Sequence, residues 1–194
     1  MNDLVRAFVA LPSPSAAREA LERLQGQLLA QAPGGRGAPR GVRPDQLHVT
    51  LRFFGDVAPG QLEYLKSELC AAAEGAKPIP VRLRELAAFP NPARARVIAA
   101  VLDDAAGSMA ALAARMERAA IAVGLPEERR PFRPHVTLIR TRQPAAVNSW
   151  LTVAAAEVGP CAFDRVVLFR SVLKPSGPTY SVIEQAALVA PTVS

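Results

Sequence analysis

Apolar and polar positions along this chain change rhythm in the same order twice. Residues Leu4 to Leu11, "LVRAFVAL", form an apolar run of strand length. Ser13 then stands as an N-cap and Pro14 as a first-turn proline, and Ala17, Leu21, Leu24 and Leu28 recur on one helical face. The stretch "PGGRGAPRG", Pro33 to Gly41, predicts a flexible loop. No Gly-Lys-Ser/Thr follows it, so it is not a phosphate-cradling P-loop. "HVTLRFFG" predicts a strand ended by Gly55, and Pro59 opens a second helix carrying Leu62, Leu65 and Leu69. From Ile79 to Phe89, "IPVRLRELAAF" alternates apolar with basic residues, as a half-buried strand does.

Beyond the turn "PNPAR" the order recurs. A strand is expected from Arg96 to Leu102, then a helix with Met109, Leu112, Met116 and Val123 on its buried stripe. A second "HVTL" strand follows, then a short helix around Val147 to Leu151 whose Trp150 is expected in the core. A strand from Ala162 to Val172, the turn "KPSGP" and a last strand, "TYSVIEQAAL", complete the order. The chain reads as an α+β fold of duplicated β-α-β-α-β units with one extra strand. Residues 1–194 are expected to form one domain of two pseudo-symmetric lobes, about 1–92 and 93–194, between which strands can exchange.

The halves share one motif in letters. HVTL occurs at His48–Leu51 and at His135–Leu138, and these copies hold the only 2 histidines among 194 residues. On a strand, alternate side chains share a face. His48 and Thr50 therefore point one way while Val49 and Leu51 point the other, and His135 and Thr137 do the same. Packed with approximate twofold symmetry, both polar pairs would line one cleft. Imidazole exchanges protons near neutrality, so a pair can serve as acid and base in one in-line displacement. Threonine hydroxyls can donate to phosphoryl oxygens and an arginine can neutralise their charge. That set suits a phosphodiester whose leaving oxygen needs a proton, and it requires no metal. Zinc is disfavoured because neither histidine sits in an HExxH or HxH arrangement, and a serine nucleophile because no GxSxG elbow occurs.

Composition sharpens this in one respect. The chain is 50% apolar and 21% charged, as expected of a globular protein. No apolar run reaches bilayer length and "MNDLVRAFVALPSPS" lacks a signal-peptide layout, so a cytoplasmic protein without a membrane partner is expected. Cys70 and Cys161 have neither disulfide-framework nor metal spacing and read as buried apolar residues. Net charge is +6, and 20 of the 23 basic residues are arginine, a bias that a GC-rich genome alone could produce. Position is more telling. No acidic residue occurs from Arg129 to Ala156, while Arg129, Arg130, Arg133, Arg140 and Arg142 crowd around the second HVTL. This patch is expected to meet an anion. Arg52 and Arg133 are further candidates for reaching substrate, with a place on the solvated surface as the equal alternative.

The two His-x-Thr-x motifs in a duplicated α+β chain of this length resemble the two-histidine phosphoesterase superfamily. Within it, the chain resembles RNA 2′,3′-cyclic phosphodiesterases, historically called 2′-5′ RNA ligases (LigT-like). The likeness runs through "RAFVALPSPSAAREAL", "LHVTLRFFGDV", "AAFPNPARARV", "RPFRPHVTLIR" and "SVLKPSGPTYSVI". It implies a bilobal fold with antiparallel sheets facing a central cleft and helices outside. It implies hydrolysis of RNA 2′,3′-cyclic phosphate ends to 2′-phosphomonoesters, without cofactor or metal. His48 would protonate the departing 3′ oxygen and His135 would activate water, an assignment that residue chemistry alone leaves open. Thr50 and Thr137 would hold phosphoryl oxygens, and Arg140 would contact the phosphate. Partners would be RNA ends or nucleotides carrying the cyclic phosphate, with a monomer as the default. Alternatives are 2′-5′ ligation to a 5′-hydroxyl and a non-catalytic RNA- or nucleotide-binding module. The chain departs from the family pattern at "RVIAAVL", where Ala99 and Ala100 stand in place of a common aromatic; the substitute grip on a base is then Phe132 or backbone contacts.

Overall fold

The computed structural model describes residues 3–32, 38–152, 160–175 and 177–189. In chain order the first elements are β1 (Val5–Pro12), α1 (Ser15–Ala30), β2 (Arg40–Gly41), β3 (His48–Val57), α2 (Pro59–Ala73), β4 (Ile79–Pro80) and β5 (Leu83–Phe89). Then follow β6 (Ala95–Leu102), α3 (Ser108–Ala122), β7 (His135–Ala145), β8 (Ala162–Phe163), β9 (Arg165–Lys174) and β10 (Gly177–Ala187). Short 3-10 turns lie at Pro44–Gln46, Pro92–Arg94 and Asn148–Thr152; the last replaces the expected short helix. No described helix is long and apolar enough to cross a membrane.

The architecture is α+β and antiparallel throughout its ladders. The large sheet runs β10-β9-β1-β3-β7-β6-β5, with β2 on the edge of β7, and β4 pairs with β8 in a small second ladder. Two groups of strands make up the large sheet, β10-β9-β1-β3 and β7-β6-β5, and one ladder pair, Val49 with Val136, joins them. Strands cross the chain midpoint symmetrically: β9 lies on β1, and β5 lies on β6. The third strand of each half thus completes the other half's sheet. A single core unites β1, β3, β6 and β7 with the buried stripes of α1 (Leu21, Leu24, Leu28), α2 (Leu65, Leu69) and α3 (Met109, Leu112, Met116). Trp150 joins this core as expected, 4% exposed. Burial on that scale is the main favourable term in folding.

Several local expectations are corrected. The N-cap of α1 is Pro14, not Ser13; proline brings no acceptor side chain, and the buried Ser13 Oγ has no hydrogen-bond partner. β3 does not stop at Gly55. Gly55 adopts a positive φ of 75°, the chain bulges there, and the strand continues to Val57. Each expected third strand is divided. Ile79–Phe89 splits into β4 and β5 after Pro80, which has no N–H for a ladder, and the strand from Ala162 splits at Asp164. Of the expected flexible loop, 33–37 lies outside the described residues, while Arg40–Gly41 is a strand. The turn "KPSGP" contains residue 176, also outside the described residues. Cys70 is exposed rather than buried, because Leu65 and Leu69 occupy the core-facing stripe of α2 and Cys70 is rotated off it; Cys161 is half-buried.

Candidate active site

Both HVTL motifs open a strand, and their register brings them together. Val49 and Val136 face each other across β3 and β7 and are buried in the core. One step out from this antiparallel pair, His48 comes opposite Thr137 and Thr50 opposite His135. Alternation turns all four away from the core, and all four line a single cleft of about 720 Å³.

Each imidazole is oriented in the same way. His48 Nδ1 lies 2.6 Å from the Gln46 carbonyl, and His135 Nδ1 lies 2.7 Å from the Arg133 carbonyl. A carbonyl only accepts, so Nδ1 carries the hydrogen and Nε2 is left as the proton-exchanging atom. On His48, Nε2 is 3.1 Å from Thr50 Oγ1. Gln46 also ties this corner to the start of β10, donating from Nε2 to the Pro178 carbonyl at 2.7 Å.

A second repeated device aims the next residue. Strict alternation from Thr137 would send Arg140 toward the core. Instead the ladder slips: Thr137 pairs with Ala99, Ile139 with Ile98 and Arg140 with Val97. The bulge leaves Leu138 and Ile139 both buried and returns Arg140 to the cleft face. β3 slips at the matching place, between Thr50 and Arg52. There the position equivalent to Arg140 is Phe53, so only one half supplies a cation.

The two histidines also have different surroundings. Phe8, Phe169 and Tyr180 surround His48, with Phe8 and Tyr180 ring centroids 5.1 and 5.6 Å from the imidazole. Burial in this aromatic box pushes His48 down to about 4; the Gln46 carbonyl opposes the shift, and the nearby positive charges of Arg140 and His135 add to it. Burial also raises the Tyr180 hydroxyl above the ordinary phenol value, opposed by Arg140. His135 contacts the Phe89 ring, at 5.4 Å between centroids.

The cleft therefore contains every expected site residue: His48, Thr50, His135, Thr137 and Arg140. Other expectations fail. Arg52 points to the opposite side, 8% exposed, where Glu117 and the carbonyls of Phe53 and Pro126 hold it. The bulge that aims Phe53 at the cleft face turns Arg52 away. Arg133 lies outside this cleft, paired with Glu85 at 3.0 Å and stacked over Phe89. Phe132 is partly buried against the core and does not line the cleft, and Ala99, where relatives carry an aromatic, is fully buried. The sequence reading missed Tyr180, Gln46 and Arg40. The first comes from a strand remote in sequence, the second acts partly through its backbone, and the third lies in a stretch whose glycines and prolines predict a loop. Among the described residues no three His, Cys, Asp or Glu side chains gather as a metal-ligating group, and the cleft lining holds no carboxylate.

The model of the LigT-like phosphoesterase family matches residues 11–99 and 101–180. The chain belongs to the LigT-like phosphoesterase family. Its relatives include an RNA 2′,3′-cyclic phosphodiesterase of Methanothermobacter thermautotrophicus, 29% identical over 184 residues, covering 93% of this chain and 97% of the relative. The protein of that name from Thermus thermophilus is 35% identical over 162 residues, covering 76% of this chain and 74% of its own. Among solved structures, the TT0787 protein of Thermus thermophilus superposes with a TM-score of 0.76 at 30% identity, covering 96% of this chain and 99% of that one. The two match segments meet between Ala99 and Val101 in β6.

Proposed function

We propose that this LigT-like phosphoesterase hydrolyses the 2′,3′-cyclic phosphate at RNA ends to a 2′-phosphomonoester, by metal-independent acid–base catalysis. The observation that carries the reading is the pair of imidazoles. Each has Nδ1 committed to a backbone carbonyl, and both line one cleft with two threonine hydroxyls and Arg140. The relatives' activity names the substrate class.

His135 Nε2 takes a proton from water as the oxygen attacks phosphorus. The bond from phosphorus to the 3′ oxygen breaks, and His48 Nε2–H protonates that oxygen. The 2′-phosphomonoester leaves, and proton exchange with solvent resets both rings. Thr50 and Thr137 hydroxyls donate to the non-bridging oxygens, and Arg140 offsets the charge gathering there. General acid and base each contribute about 10²–10⁴-fold. The lining supplies arginine cations where a metal-dependent phosphodiesterase needs carboxylate ligands. The protein is read as a single two-lobed domain acting as a cytoplasmic monomer.

The test is a panel of 2′,3′-cyclic mononucleotides, cyclic-ended oligonucleotides and simple phosphomonoesters, with product isomers identified and EDTA added in parallel. Expected are 2′-phosphomonoesters from the cyclic substrates only, at a rate EDTA does not change. Joining to an added 5′-hydroxyl RNA in preference to hydrolysis would give the ligase reading instead. No turnover of any cyclic phosphate would leave only a binding module.

A further inference from the structure

The cleft extends past the two histidines along β7, and its continuation is cationic. Arg40 and Arg140 are direct partners across the β2–β7 ladder, and both line the cleft with Arg142. Like charges placed directly opposite on adjacent strands repel. Among the described residues no carboxylate pairs with Arg40, Arg140 or Arg142, whereas Arg43 nearby is tied to Asp45. Three uncompensated guanidinium groups in one cleft call for more than one anion.

β2 is also firmly seated. Val42 N donates to the Leu138 carbonyl at 2.8 Å. From α1, Gln25 Nε2 donates to the carbonyls of both Val42 and Leu138, at 2.9 and 2.8 Å. Gly41 makes room for this stitch: a Cβ there would lie 2.6 Å from Gln25 Oε1. A side-chain amide buttresses the short strand that positions Arg40.

The bulge in β7 makes Arg140 two ladder positions from Thr137, about 7 Å at ordinary strand rise. That is comparable to one step between backbone phosphates. Measured from Thr137, Arg40, abreast of Arg140 across the ladder, stands about one such step away and Arg142 lies two residues beyond, while Arg140 is left to serve the reacting phosphate. We propose that Arg40 and Arg142 form a second phosphate subsite for the phosphodiester that joins the terminal nucleotide to the rest of an RNA strand. The preferred substrate is then a cyclic-ended oligonucleotide rather than a free cyclic mononucleotide. This inference rests on the reading of the cleft as a cyclic phosphodiesterase site.

Three substrates test it: a nucleoside 2′,3′-cyclic phosphate with a free 5′-hydroxyl, the same compound with a 5′-phosphate, and a cyclic-ended dinucleotide. In the wild type, kcat/KM for the second and third is expected to exceed that for the first by about fivefold, the scale of an exposed charge contact. Arg40→Gln and Arg142→Gln are each expected to pull that ratio toward one. A binding readout that needs no turnover accompanies this: the salt dependence of affinity for a short RNA ending in a 3′-phosphate. Each lost contact lowers its logarithmic slope by about 0.7. A wild-type ratio of one, or a ratio and slope unchanged in both variants, would overturn the subsite. So would a gain confined to the dinucleotide that survives both substitutions, since the neighbouring base or sugar would then be what is recognised. Slopes that fall in a protein without turnover would support the subsite while removing the catalytic reading, so the two failures stay distinguishable.

Discussion

His48 is built to be neutral in the free protein, yet the proposed reaction needs it protonated when substrate is bound. The descent from 6.5 to about 4 corresponds to ~3 kcal/mol at 1.36 kcal/mol per pH unit. A phosphate monoanion about 4 Å from the protonated ring returns ~4 kcal/mol at an effective dielectric of 20. The anion therefore offsets the aromatic box, and occupancy of the cleft should carry His48 back to about 6 or above. Substrate would recruit its own acid. The assay is NMR titration of the His48 ring, free and with a 2′-nucleotide product bound. Expected is a midpoint near 4 in the free protein and a rise of about two pH units on binding. A free midpoint near 6.5 would refute the account of the box. A midpoint still near 4 with ligand bound, in an active protein, would assign His48 the base role and His135 the acid role. The same shift has a stability consequence. A histidine with depressed folded-state pKa stabilises the protein above about pH 6.5, and that contribution is lost as pH falls through about 4.

Three further outcomes follow from individual contacts. Glu117→Gln leaves the buried Arg52 guanidinium without its counter-charge, and because Glu117 is a fifth exposed the cost is set at about 2 kcal/mol. A melting temperature lower by about 4–8 °C with kcat retained is expected; retained stability with lost activity would mean that Arg52 does serve the reaction. Gly41→Val should displace Gln25 from the Val42 and Leu138 carbonyls and destabilise the protein by about 1–3 kcal/mol; unchanged denaturant unfolding would count against the stitch. A thiol reagent should label the exposed Cys70 of the native protein faster than Cys161, whose thiol burial pushes up. Equal labelling rates would contradict that placement.

Much of this site was legible in the chain because it depends on letters and on period two. HVTL repeated in a histidine-poor sequence named His48, Thr50, His135 and Thr137, and strand alternation placed them away from the core. The helices were legible for the same reason, through stripes such as Leu21, Leu24 and Leu28. What alternation cannot foresee is a bulge. One extra residue at matching places in β3 and β7 reverses the faces of the residues that directly follow, so Arg52 leaves the cleft and Arg140 enters it. The arginine patch around the second HVTL includes Arg140, but its particular role at the phosphate comes from resemblance alone. Partnerships remote in sequence were equally hidden. Nothing local to "PTYSV" shows that Tyr180 packs on His48, and nothing in "APRG" shows that Arg40 will face Arg140. The matching bulges also place different residues on the same face five positions after each histidine, Phe53 in one half and Arg140 in the other.

If both Nε2 atoms address one phosphorus, a crystal structure with a 2′-nucleotide product bound will show the phosphate between the rings. Each Nε2 is expected within about 2.6–3.2 Å of one of its oxygens, with Arg140 on a third. A product bound with its phosphate against only one histidine, or seated at Arg40 and Arg142 while the space between the imidazoles stays empty, would contradict it.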